Sequence, residues 1–440
     1  MEIRKGTFKK GIHPPYNKQF TEKLPIEVMP APKEVVLPMS MHIGAPAVPD
    51  VNVGDHVLLG QVVGKAGGFV SSNIHASVSG TVTAVEPRLT SGGRKEMCVV
   101  IENDFKDERC ESFKENDIEK LTSEDIMKII TDSGLVGFGG ATFPTAVKLI
   151  PPKDANVDHI IINGAECEPY LTSDHALMRE HADKVIGGLR IMMKLLGLEK
   201  GYIGIENNKP DAIEAVKAVG GDDIVIYELE TKYPQGGEKQ LITAITGREV
   251  PSGALPANAG CIVVNAGTSA AIYDAVTAGK PVYERVATVT GSGIKEPKVL
   301  LFRIGTSVKE MVDYCGGLTD DIAKVILGGP MMGPAIYDLN VPAGKGTSGI
   351  LCLNAADAYI PAPSNCIRCG KCTEVCPMGL MPLYLGSYSE KRLFEKCEEY
   401  DVLDCIECGS CAFTCPAKRP LVAEIRVAKR EVQALRKKRG

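Results

Sequence analysis

Eight cysteines near the C-terminus follow one spacing pattern twice, and this pattern constrains the fold more than any other feature of the 440-residue chain. Each copy reads C-x2-C-x2-C-x3-C-P, a run that typically ligates [4Fe–4S] clusters. Three thiolates spaced by two residues let one loop wrap three corners of a cubane. The pattern predicts metal ligands at Cys366, Cys369, Cys372, Cys376, Cys405, Cys408, Cys411 and Cys415.

The two copies together predict a ferredoxin-like double-cluster domain over residues 351–420. In two-cluster proteins the fourth cysteine of each run serves the other cluster. The first ligand set is therefore predicted to be Cys366, Cys369, Cys372 and Cys415, and the second Cys405, Cys408, Cys411 and Cys376. The alternative is a pair of four-cysteine zinc sites, although such sites usually show two C-x2-C pairs rather than three evenly spaced cysteines.

Composition places the rest of the chain in the ordinary globular class. Hydrophobic residues make up 44% and charged residues 24%, which excludes a disordered or fibrous protein. The net charge of −5 disfavours a nucleic-acid binder, because such proteins are more often basic. No apolar run approaches the roughly 18 residues that span a bilayer, and no apolar segment follows the basic N-terminus. We therefore expect about three domains, cytosolic or docked on a membrane by a partner.

The first quarter of the chain reads as β-structure. Short β-branched runs between residues 30 and 103 are separated by Gly, Pro, Asn and Asp. The segments GDHV, GQVV and ASVSGTV resemble a lipoyl/biotinyl-like barrel-sandwich, which we assign to residues 1–103. The stretch between its halves lacks the lysine that carries a prosthetic group in such modules, and a generic β-sandwich is the alternative. The charge-rich residues 104–122 are interpreted as a linker or a solvated surface segment.

Strands alternate with helices over residues 123–282, which predicts a parallel sheet covered on both faces. One helix is expected from Ser173 to Leu196. Ligands of such sheets bind beyond the carboxyl ends of the strands. That rule puts Asn163, the 231–238 loop and Asn265 on one rim. A small α+β insert is predicted over 283–350, and a basic amphipathic helix over 421–440.

A glycine-rich loop, GLVGFGGATFPTAVK, runs from Gly134 to Lys148. Four glycines in seven residues permit a close approach of the backbone to a ligand, and exposed amides can cradle a phosphate. The loop is neither a Walker A sequence nor a dinucleotide fingerprint, because a helical pattern precedes it. A tight packing loop is the alternative interpretation.

Four segments in order resemble the flavin- and NADH-binding segments of the respiratory complex I flavin subunit: GLVGFGGATFPTAVK, NGAECEP, YPQGGEKQL and NAGT. With the double cysteine run, the lipoyl-like part and the opening GIHPPYNK, the whole chain resembles the RnfC family, a component of the Rnf electron transport complex. The resemblance implies a Rossmann-like FMN domain with a nicotinamide site, and a β-grasp (SLBB-like) insert over 283–350.

The resemblance also implies four groups of cofactor-binding residues. They are Gly137, Gly139, Gly140 and Lys148 on the phosphate- and dinucleotide-facing loop; Asn163 and Glu166 on the flavin-ring segment; Phe143 and Glu168 beside the nicotinamide nucleotide; and Gly236, Gly237, Glu238, Asn265 and Thr268 on the second and third flavin loops. The sequence departs from the complex I pattern in having Val136 and Phe138 in place of Arg, Ala165 in place of Asp and Cys167 in place of Ser. These departures bear on NADH affinity.

The function expected from these features is electron transfer in a membrane ferredoxin:NAD oxidoreductase. Electrons would pass between ferredoxin-linked partner subunits, two [4Fe–4S] clusters, FMN and NAD(H), with Na+ or H+ transport in membrane partners and no acid–base dyad in this chain. The chain would lie peripherally on the cytoplasmic face of the membrane and contact ferredoxin only indirectly. The alternatives are a cobalamin reductase of the diol-utilisation type and a non-catalytic iron–sulfur wiring subunit.

Overall fold

The computed structural model describes residues 2–152 and 154–439. Met1 and Gly440, which bound the predicted N-terminal module and C-terminal tail, lie outside the described residues, as does Lys153. Within the described ranges, no helix is both long and apolar enough to cross a membrane.

The described residues form β-strands throughout the first four fifths of the chain. These strands are β1 Glu2–Gly6, β2 Ile26–Val28, β3 Glu34–Pro38, β4 Val48–Pro49, β5 His56–Val57, β6 Val62–Lys65, β7 Ile74–His75, β8 Gly80–Leu89, β9 Lys95–Asn103, β10 His159–Gly164, β11 Gly201–Glu206, β12 Ile224–Leu229, β13 Cys261–Asn265, β14 Glu284–Thr290, β15 Lys298–Arg303, β16 Ile322–Leu327, β17 Ala335–Ile336 and β18 Gly349–Asn354.

The α-helices begin after the N-terminal β-structure and dominate the C-terminal part. They are α1 Ser123–Asp132, α2 Thr145–Lys148, α3 Ser173–Glu180, α4 Ala182–Leu196, α5 Pro210–Val219, α6 Glu238–Thr246, α7 Ala266–Ala278, α8 Val308–Tyr314, α9 Ala355–Ala358, α10 Lys371–Glu374, α11 Pro382–Glu390, α12 Phe394–Glu399, α13 Ser410–Thr414 and α14 Leu421–Arg439.

The central sheet is parallel and has the strand order β1-β12-β11-β10-β13. Its strands β10, β11, β12 and β13 are mostly buried on both faces, as a covered parallel sheet requires, whereas the edge strand β1 is mostly exposed. Ile160 and Ile162 pack in the same apolar cluster as residues of α4 and α7, whereas Ile161 packs with residues of α6. The predicted α/β domain with a parallel sheet is confirmed.

The edge strand of this sheet comes from the N-terminus of the chain. β1 pairs in parallel with β12, and β2 pairs in parallel with β15 of a second sheet. Residues 2–6 and 26–28 thus contribute to two other sheets, although the sequence analysis assigned them to the N-terminal barrel-sandwich. Gly6 permits the edge strand to approach α6, since a Cβ there would lie 2.6 Å from the Ala244 carbonyl oxygen.

The single helix expected from Ser173 to Leu196 is two helices, and that prediction is wrong in this detail. His181 separates α3 from α4 with a non-helical backbone (φ −134°, ψ 43°). The apolar periodicity continues across the break, because both helices bury one side against the same core.

The remaining β-structure forms the two expected modules. The barrel-sandwich contains an antiparallel sheet of order β3-β9-β8-β5 and a smaller one of order β4-β6-β7. The insert forms a mixed sheet of order β17-β16-β18-β14-β15-β2, with the capped helix α8 beside it. The C-terminal part is helical, and α14 buries Leu421, Ile425, Ala428 and Val432.

Close packing of α4 on α7 generates the first prediction. A Cβ at Gly188 would lie 1.9 Å from the Ser269 carbonyl oxygen, whereas one at Gly187 would meet the ring of Tyr273, which can move. Both Gly→Ala changes gain the same helix propensity, so a difference in stability between the two variants reflects their packing. Because backbone cannot yield as a side chain can, Gly188→Ala is expected to lower the Tm by about 3 °C or more relative to Gly187→Ala. Scanning calorimetry of the full chain measures it, and equal Tm values would contradict it.

Candidate functional site

A buried lysine holds the loop that follows β10 at the carboxyl edge of the central sheet. Lys18 donates from Nζ to the carbonyl oxygens of Glu166, Glu168 and Leu171 at 2.8, 3.1 and 2.5 Å. Burial lowers the pKa of Lys18, so these carbonyls are what keeps an ammonium tolerable there. The loop is also strained, because Glu166 and Tyr170 have φ of 44° and 70°.

A second buried lysine reaches the same loop from the turn between β11 and α5. Lys209 donates from Nζ to the Ala165 carbonyl at 2.7 Å and to Glu206 Oε2 at 3.1 Å. The Lys209 and Glu206 side chains are 1% and 0% exposed. Desolvation raises the pKa of Glu206, and the neighbouring Lys209 opposes that rise. Two ammonium groups thus fix four carbonyls of one loop.

Glu166, expected on the flavin-ring segment, directs its carboxylate to the start of α3. It accepts hydrogen bonds from the backbone amides of Asp174 and His175 at 2.7 and 3.1 Å, and from Ser173 Oγ at 3.2 Å. An anion at a helix N-terminus satisfies free amides and complements the helix dipole. The side chain of Glu166 therefore positions its own loop.

The loop after β10 meets the loop before α6. Asn163 donates from Nδ2 to the Gly236 carbonyl at 2.8 Å, and the Gly236 amide donates to Cys167 Sγ at 3.2 Å. A Cβ at Gly236 would approach this sulfur to 3.2 Å, and one at Gly237 would lie 2.4 Å from Gln240 Oε1. The structure therefore brings together the first and second predicted flavin loops.

The glycine loop meets the third predicted segment at the start of α7. Asn265 caps this helix by accepting from the Thr268 amide, and a Cβ at Gly139 would lie 2.6 Å from Asn265 Nδ2. The Phe138 amide donates to Thr268 Oγ1 at 2.9 Å. Gly140 has open space where a Cβ would point. The loop thus presents an exposed stretch of backbone at Gly139–Ala141.

Lys148 and Glu238, predicted in two different loops, form an ion pair. Their Nζ and Oε1 atoms are 2.6 Å apart, and both side chains are about one third exposed (31% and 39%). A pair this exposed contributes little to stability, so both groups remain available to a ligand. Phe143 is half-buried, and its carbonyl accepts from the Gly137 amide at 2.9 Å.

Glu168, expected beside the nicotinamide nucleotide, instead faces the insert. Its Oε2 accepts from the Met331 amide at 3.1 Å, and its Oε1 lies 3.4 Å from the hydroxyl of Tyr233. Desolvation raises the pKa of Glu168 to about 7. Among the described residues it shares no hydrogen bond with Phe143, so the structure does not join these two predicted residues directly.

One further observation indicates that these loops can hold a flavin. Gln235, in the second loop, is fully buried, and neither its amide nitrogen nor its amide oxygen has a partner among the described residues. Buried polar groups rarely stay unpaired, so such a donor and acceptor indicate a bound ligand or water. A flavin ring presents both donors and acceptors at its edge. The backbone of the glycine loop and the ion pair of Lys148 suit its phosphate.

The first predicted cysteine set surrounds one cavity of the C-terminal domain. Cys366, Cys369, Cys372 and Cys415 line it together, so the fourth thiol comes from the second run. Cys366 and Cys369 are exposed to solvent. The Arg368 amide lies 3.4 Å from Cys366 Sγ, in the direction of an N–H···S hydrogen bond.

The second set lines a separate cavity deeper in the molecule. Cys376, Cys405, Cys408 and Cys411 surround it, and Cys405 has the same amide contact, from Glu407 at 3.4 Å. Arg368 and Glu407 occupy equivalent positions of the two runs and both have positive φ, 57° and 58°. The two runs are therefore built alike.

Each cavity is lined by four thiols, which is the ligand number of one [4Fe–4S] cluster. The fourth thiol of each set comes from the other run, as in ferredoxins with two clusters.

Tyr233 connects the flavin loops to the second cysteine set. It is 1% exposed, and its hydroxyl donates to the Cys408 carbonyl at 2.7 Å. Gln240 approaches Met378 Sδ at 3.2 Å beside it, and the Gly11 amide donates to the Val375 carbonyl. The structure thus puts the second cysteine set, rather than the first, against the flavin loops.

Several residues of the site have no signal in the sequence. Besides Lys18 and Lys209, these are Arg285, whose guanidinium stacks 4.6 Å from the Phe138 ring and donates to the Phe138 and Lys345 carbonyls, and Lys345 itself. Lys345 donates from Nζ to the carbonyls of Asn73 and Gly134, and desolvation lowers its pKa to about 7. Each lies far along the chain from the loop it holds.

Comparison with protein-family models finds matches in four successive parts of the chain. Residues 6–106 match an RnfC barrel sandwich hybrid domain, 130–274 a Nuo51 FMN-binding domain, 286–335 an SLBB domain and 359–416 a 4Fe-4S dicluster domain. The chain therefore has an FMN domain and a domain for two [4Fe–4S] clusters, as the sequence analysis predicted.

Curated relatives match over nearly the full length. The chain is 54% identical over 441 residues to the C subunit of the Na(+)-translocating ferredoxin:NAD(+) oxidoreductase complex of Acetobacterium woodii, with 100% of both chains covered. It is 50% identical to the C subunit of the proton-translocating ferredoxin:NAD(+) oxidoreductase complex of Clostridium ljungdahlii, covering 97% of this chain and 94% of the relative. The C subunit of the ion-translocating oxidoreductase complex of Rhodobacter capsulatus is 43% identical, with 95% and 82% covered.

A solved structure shares the fold. The crystal structure of an NAD+-reducing [NiFe]-hydrogenase in the H2-reduced state matches with a TM-score of 0.50 and 17% identity. The match covers 72% of this chain and 62% of that chain, which is less than two thirds of its length.

Crossed ligation of the clusters can be tested by pairs of substitutions. Cys366→Ala alone is expected to remove about half of the iron. Adding Cys415→Ala should remove no more, because both thiols would serve one cluster, whereas adding Cys376→Ala should remove nearly all of it. Iron and sulfide analysis of anaerobically purified protein measures the loss. Ligation within each run would give the reverse order.

The raised pKa of Glu168 predicts a pH dependence of stability. Because its folded pKa of about 7 lies above the ordinary value, its contribution is complete below that ordinary value and is lost as the pH rises through 7. Glu168→Gln should therefore reduce the fall in Tm between pH 6 and pH 8. Glu214→Gln, at an exposed position of α5, is the control and should leave the fall unchanged. An unchanged profile in Glu168→Gln would contradict the argument.

Proposed function

The chain belongs to the RnfC family of ion-translocating oxidoreductase complexes, and from this premise we propose that it carries electrons between a ferredoxin-linked partner and NAD(H). The residues proposed to bind FMN lie in the glycine loop and in the three predicted flavin loops at the edge of the central sheet. The proposed cluster ligands are the two crossed cysteine sets. FMN supplies hydride exchange with NAD(H) and single-electron exchange with iron–sulfur centres.

The observation that carries the proposal is the hydrogen bond from Tyr233 to the carbonyl of Cys408. Tyr233 belongs to the loop proposed to hold the flavin, and Cys408 is a proposed ligand of the second cluster. One buried side chain therefore spans the gap between the two proposed redox sites. The proposed electron path therefore runs from the first cluster, at the solvent side, to the second cluster, then to the flavin held by the loops, and finally to the nucleotide.

The protein's own residues orient and enclose the reactants. Lys18 and Lys209 fix the loop between Ala165 and Leu171, and Asn163 ties it to Gly236. Neither direction of transfer demands an acid–base dyad, because a hydride moves one proton together with two electrons to or from the nicotinamide. The chain's part in the reaction is to keep the redox groups at fixed distances from one another and to exclude water from the site.

Partner subunits are proposed to carry out ion transport and to deliver electrons from ferredoxin. Relatives are named as subunits of Na(+)-translocating and proton-translocating complexes, and we propose that this chain assembles into such a complex. Ion transfer would take place in membrane partners. The chain would lie on the cytoplasmic face of the membrane, where NAD(H) is available, and receive electrons from ferredoxin through a partner subunit.

The proposed function is tested by anaerobic cofactor analysis and titration. The purified chain should contain one FMN and two [4Fe–4S] clusters, and NADH should bleach both flavin and cluster absorbance. A chain with iron and sulfide but no flavin would support a wiring subunit instead. Corrinoid reduction far faster than transfer to ferredoxin or viologen dyes would support a cobalamin reductase.

Tyr233→Phe is expected to separate the two halves of the electron path. The flavin loops stay in place, so NADH should bleach the flavin at an unchanged rate. Transfer to the second cluster should slow by several-fold, since the Cys408 carbonyl loses the hydrogen bond that connects the second cysteine set to these loops. Rapid-mixing spectroscopy and the EPR signal of the reduced cluster measure both steps.

Tyr16→Phe is the matched control. Tyr16 donates to the Thr231 carbonyl of the same loop at 3.0 Å, and among residues 2–152 and 154–439 its hydroxyl has no hydrogen bond with a proposed cluster ligand. It should leave both rates unchanged. Equal rates of cluster reduction in the Tyr233→Phe variant and the wild type would contradict the role of the hydroxyl.

A further inference from the structure

A cleft of about 800 Å³, part of it open to solvent, lies between the central domain and the insert. The break between α3 and α4, part of α7, residues 280–286 and the strands β2 and β15 form its walls. Apolar side chains make up much of the lining, among them Leu177, Ala271, Val286 and Leu301. The volume is usual for a small-molecule site. Among the described residues of the lining, none is predicted to bind FMN, NAD(H) or a cluster, so the function proposed above leaves the cleft without a role.

A buried arginine in the wall of the cleft has no anionic partner. Arg285 is 5% exposed, and its guanidinium donates to the carbonyls of Phe138 and Lys345. In residues 2–152 and 154–439, its Nε has no hydrogen-bond partner and no carboxylate lies within ion-pair distance of it. Desolvation lowers the pKa of Arg285. Two neutral carbonyls replace only part of the lost water, so the positive charge stays largely uncompensated.

Asp174, at the start of α3, lines the same cleft and is also incompletely satisfied. Its Oδ2 accepts from Asn265 Nδ2 at 2.6 Å, and within the described ranges no donor forms a hydrogen bond with its Oδ1. Burial and the neighbouring Glu166 raise the pKa of Asp174. The charge of Asp174 opposes the lowering of the Arg285 pKa, so the two groups are near each other, yet they form no ion pair. An anion and a cation thus share the cleft without neutralising each other directly.

The other charged side chains in the described lining already have partners. Asp274 lies 3.0 Å from Lys184 and 3.2 Å from Lys280, and Lys280 lies 2.8 Å from Glu284. These two cations and two anions compensate one another. His181 adds an imidazole at the break between α3 and α4. The arginine and the aspartate described above therefore remain as the two charges that a ligand can satisfy.

We propose that the cleft binds a small zwitterion of the α-amino acid type with an apolar side chain, its carboxylate facing Arg285 and its ammonium group facing Asp174. An anion alone would compensate Arg285 but would meet the like charge of Asp174, and an amine alone would have the reverse fault. A zwitterion compensates both, and the apolar walls accept its side chain. The inference goes beyond the proposed function, because it uses residues that neither FMN nor the clusters are assigned.

Binding of three probes to the holoprotein tests this assignment. L-leucine carries both charges, 4-methylpentanoate lacks the ammonium group and 3-methylbutylamine lacks the carboxylate. Leucine is expected to bind at a single saturable site. Each of the other two should bind at least about tenfold more weakly, because each loses one charge-assisted contact and leaves a buried charge uncompensated. Isothermal titration calorimetry under anaerobic conditions measures the three dissociation constants.

Asp174→Asn distinguishes a charge contact from the shape of the cavity. Asparagine keeps an acceptor for Asn265 but loses the negative charge. The Kd for leucine should rise by about tenfold or more, because the ammonium group loses its counter-charge. The Kd for 4-methylpentanoate should fall, because its carboxylate no longer meets a like charge. A loss of folding would weaken both, so only the proposed contact moves the two affinities in opposite directions.

Ala271→Leu is expected to fill the cleft from α7 and to abolish leucine binding. Ala278→Leu is the matched control, since it makes the same change at an exposed position of the same helix. The two residue types have similar helix propensity, so the helix itself is not at issue. The control should leave the Kd for leucine unchanged.

Four results would overturn the inference. They are the absence of saturable leucine binding, equal affinity for leucine and either analogue, a change of both affinities in the same direction in Asp174→Asn, and leucine binding that survives in Ala271→Leu. None of these results bears on the proposed function, because bleaching of the flavin by NADH tests that function separately.

Discussion

Two buried ammonium groups fix the loop on which the candidate site depends. Together, Lys18 and Lys209 donate hydrogen bonds to four carbonyls between Ala165 and Leu171. A buried cation needs hydrogen-bond acceptors in place of water, and a loop with a strained backbone needs donors to its carbonyls. The ammonium groups and the loop therefore stabilise each other. Lys18 lies in the segment between β1 and β2. The N-terminal residues therefore belong to the site as much as the sheet does.

Three domains and the N-terminal segment also meet at one point. Ile12, Cys167, Tyr233, Cys408 and Met331 pack in one apolar cluster, and they come from the N-terminal segment, both flavin loops, the cluster domain and the insert. An interface of this kind keeps the loops at a fixed separation from the cysteine domain. Electron transfer depends on that separation, so packing here sets function directly.

The sequence predicts the features that depend on local patterns. It does not predict those that depend on contacts between segments far apart in the chain. The cysteine spacing and the strand–helix alternation are local patterns, and each predicted the right kind of structure. β1 was missed because EIRKG is mostly polar and its partner β12 lies more than two hundred residues away. Arg285 and Lys345 were missed for the same reason, since a buried charge is recognised only by the carbonyls it meets.

The two cysteine sets differ in their surroundings, and the difference gives the electron path a direction in space. Cys366 and Cys369 are exposed, whereas Cys376, Cys408 and Cys411 are buried, and Cys408 packs with Tyr233 and with Met331 of the insert. Under the proposed ligation, an outer cluster can meet a partner while an inner cluster is shielded from solvent. Exposure is one of the factors that set a cluster's potential. The same burial that joins the inner set to the flavin loops therefore also distinguishes the two centres, although their cysteine runs are alike.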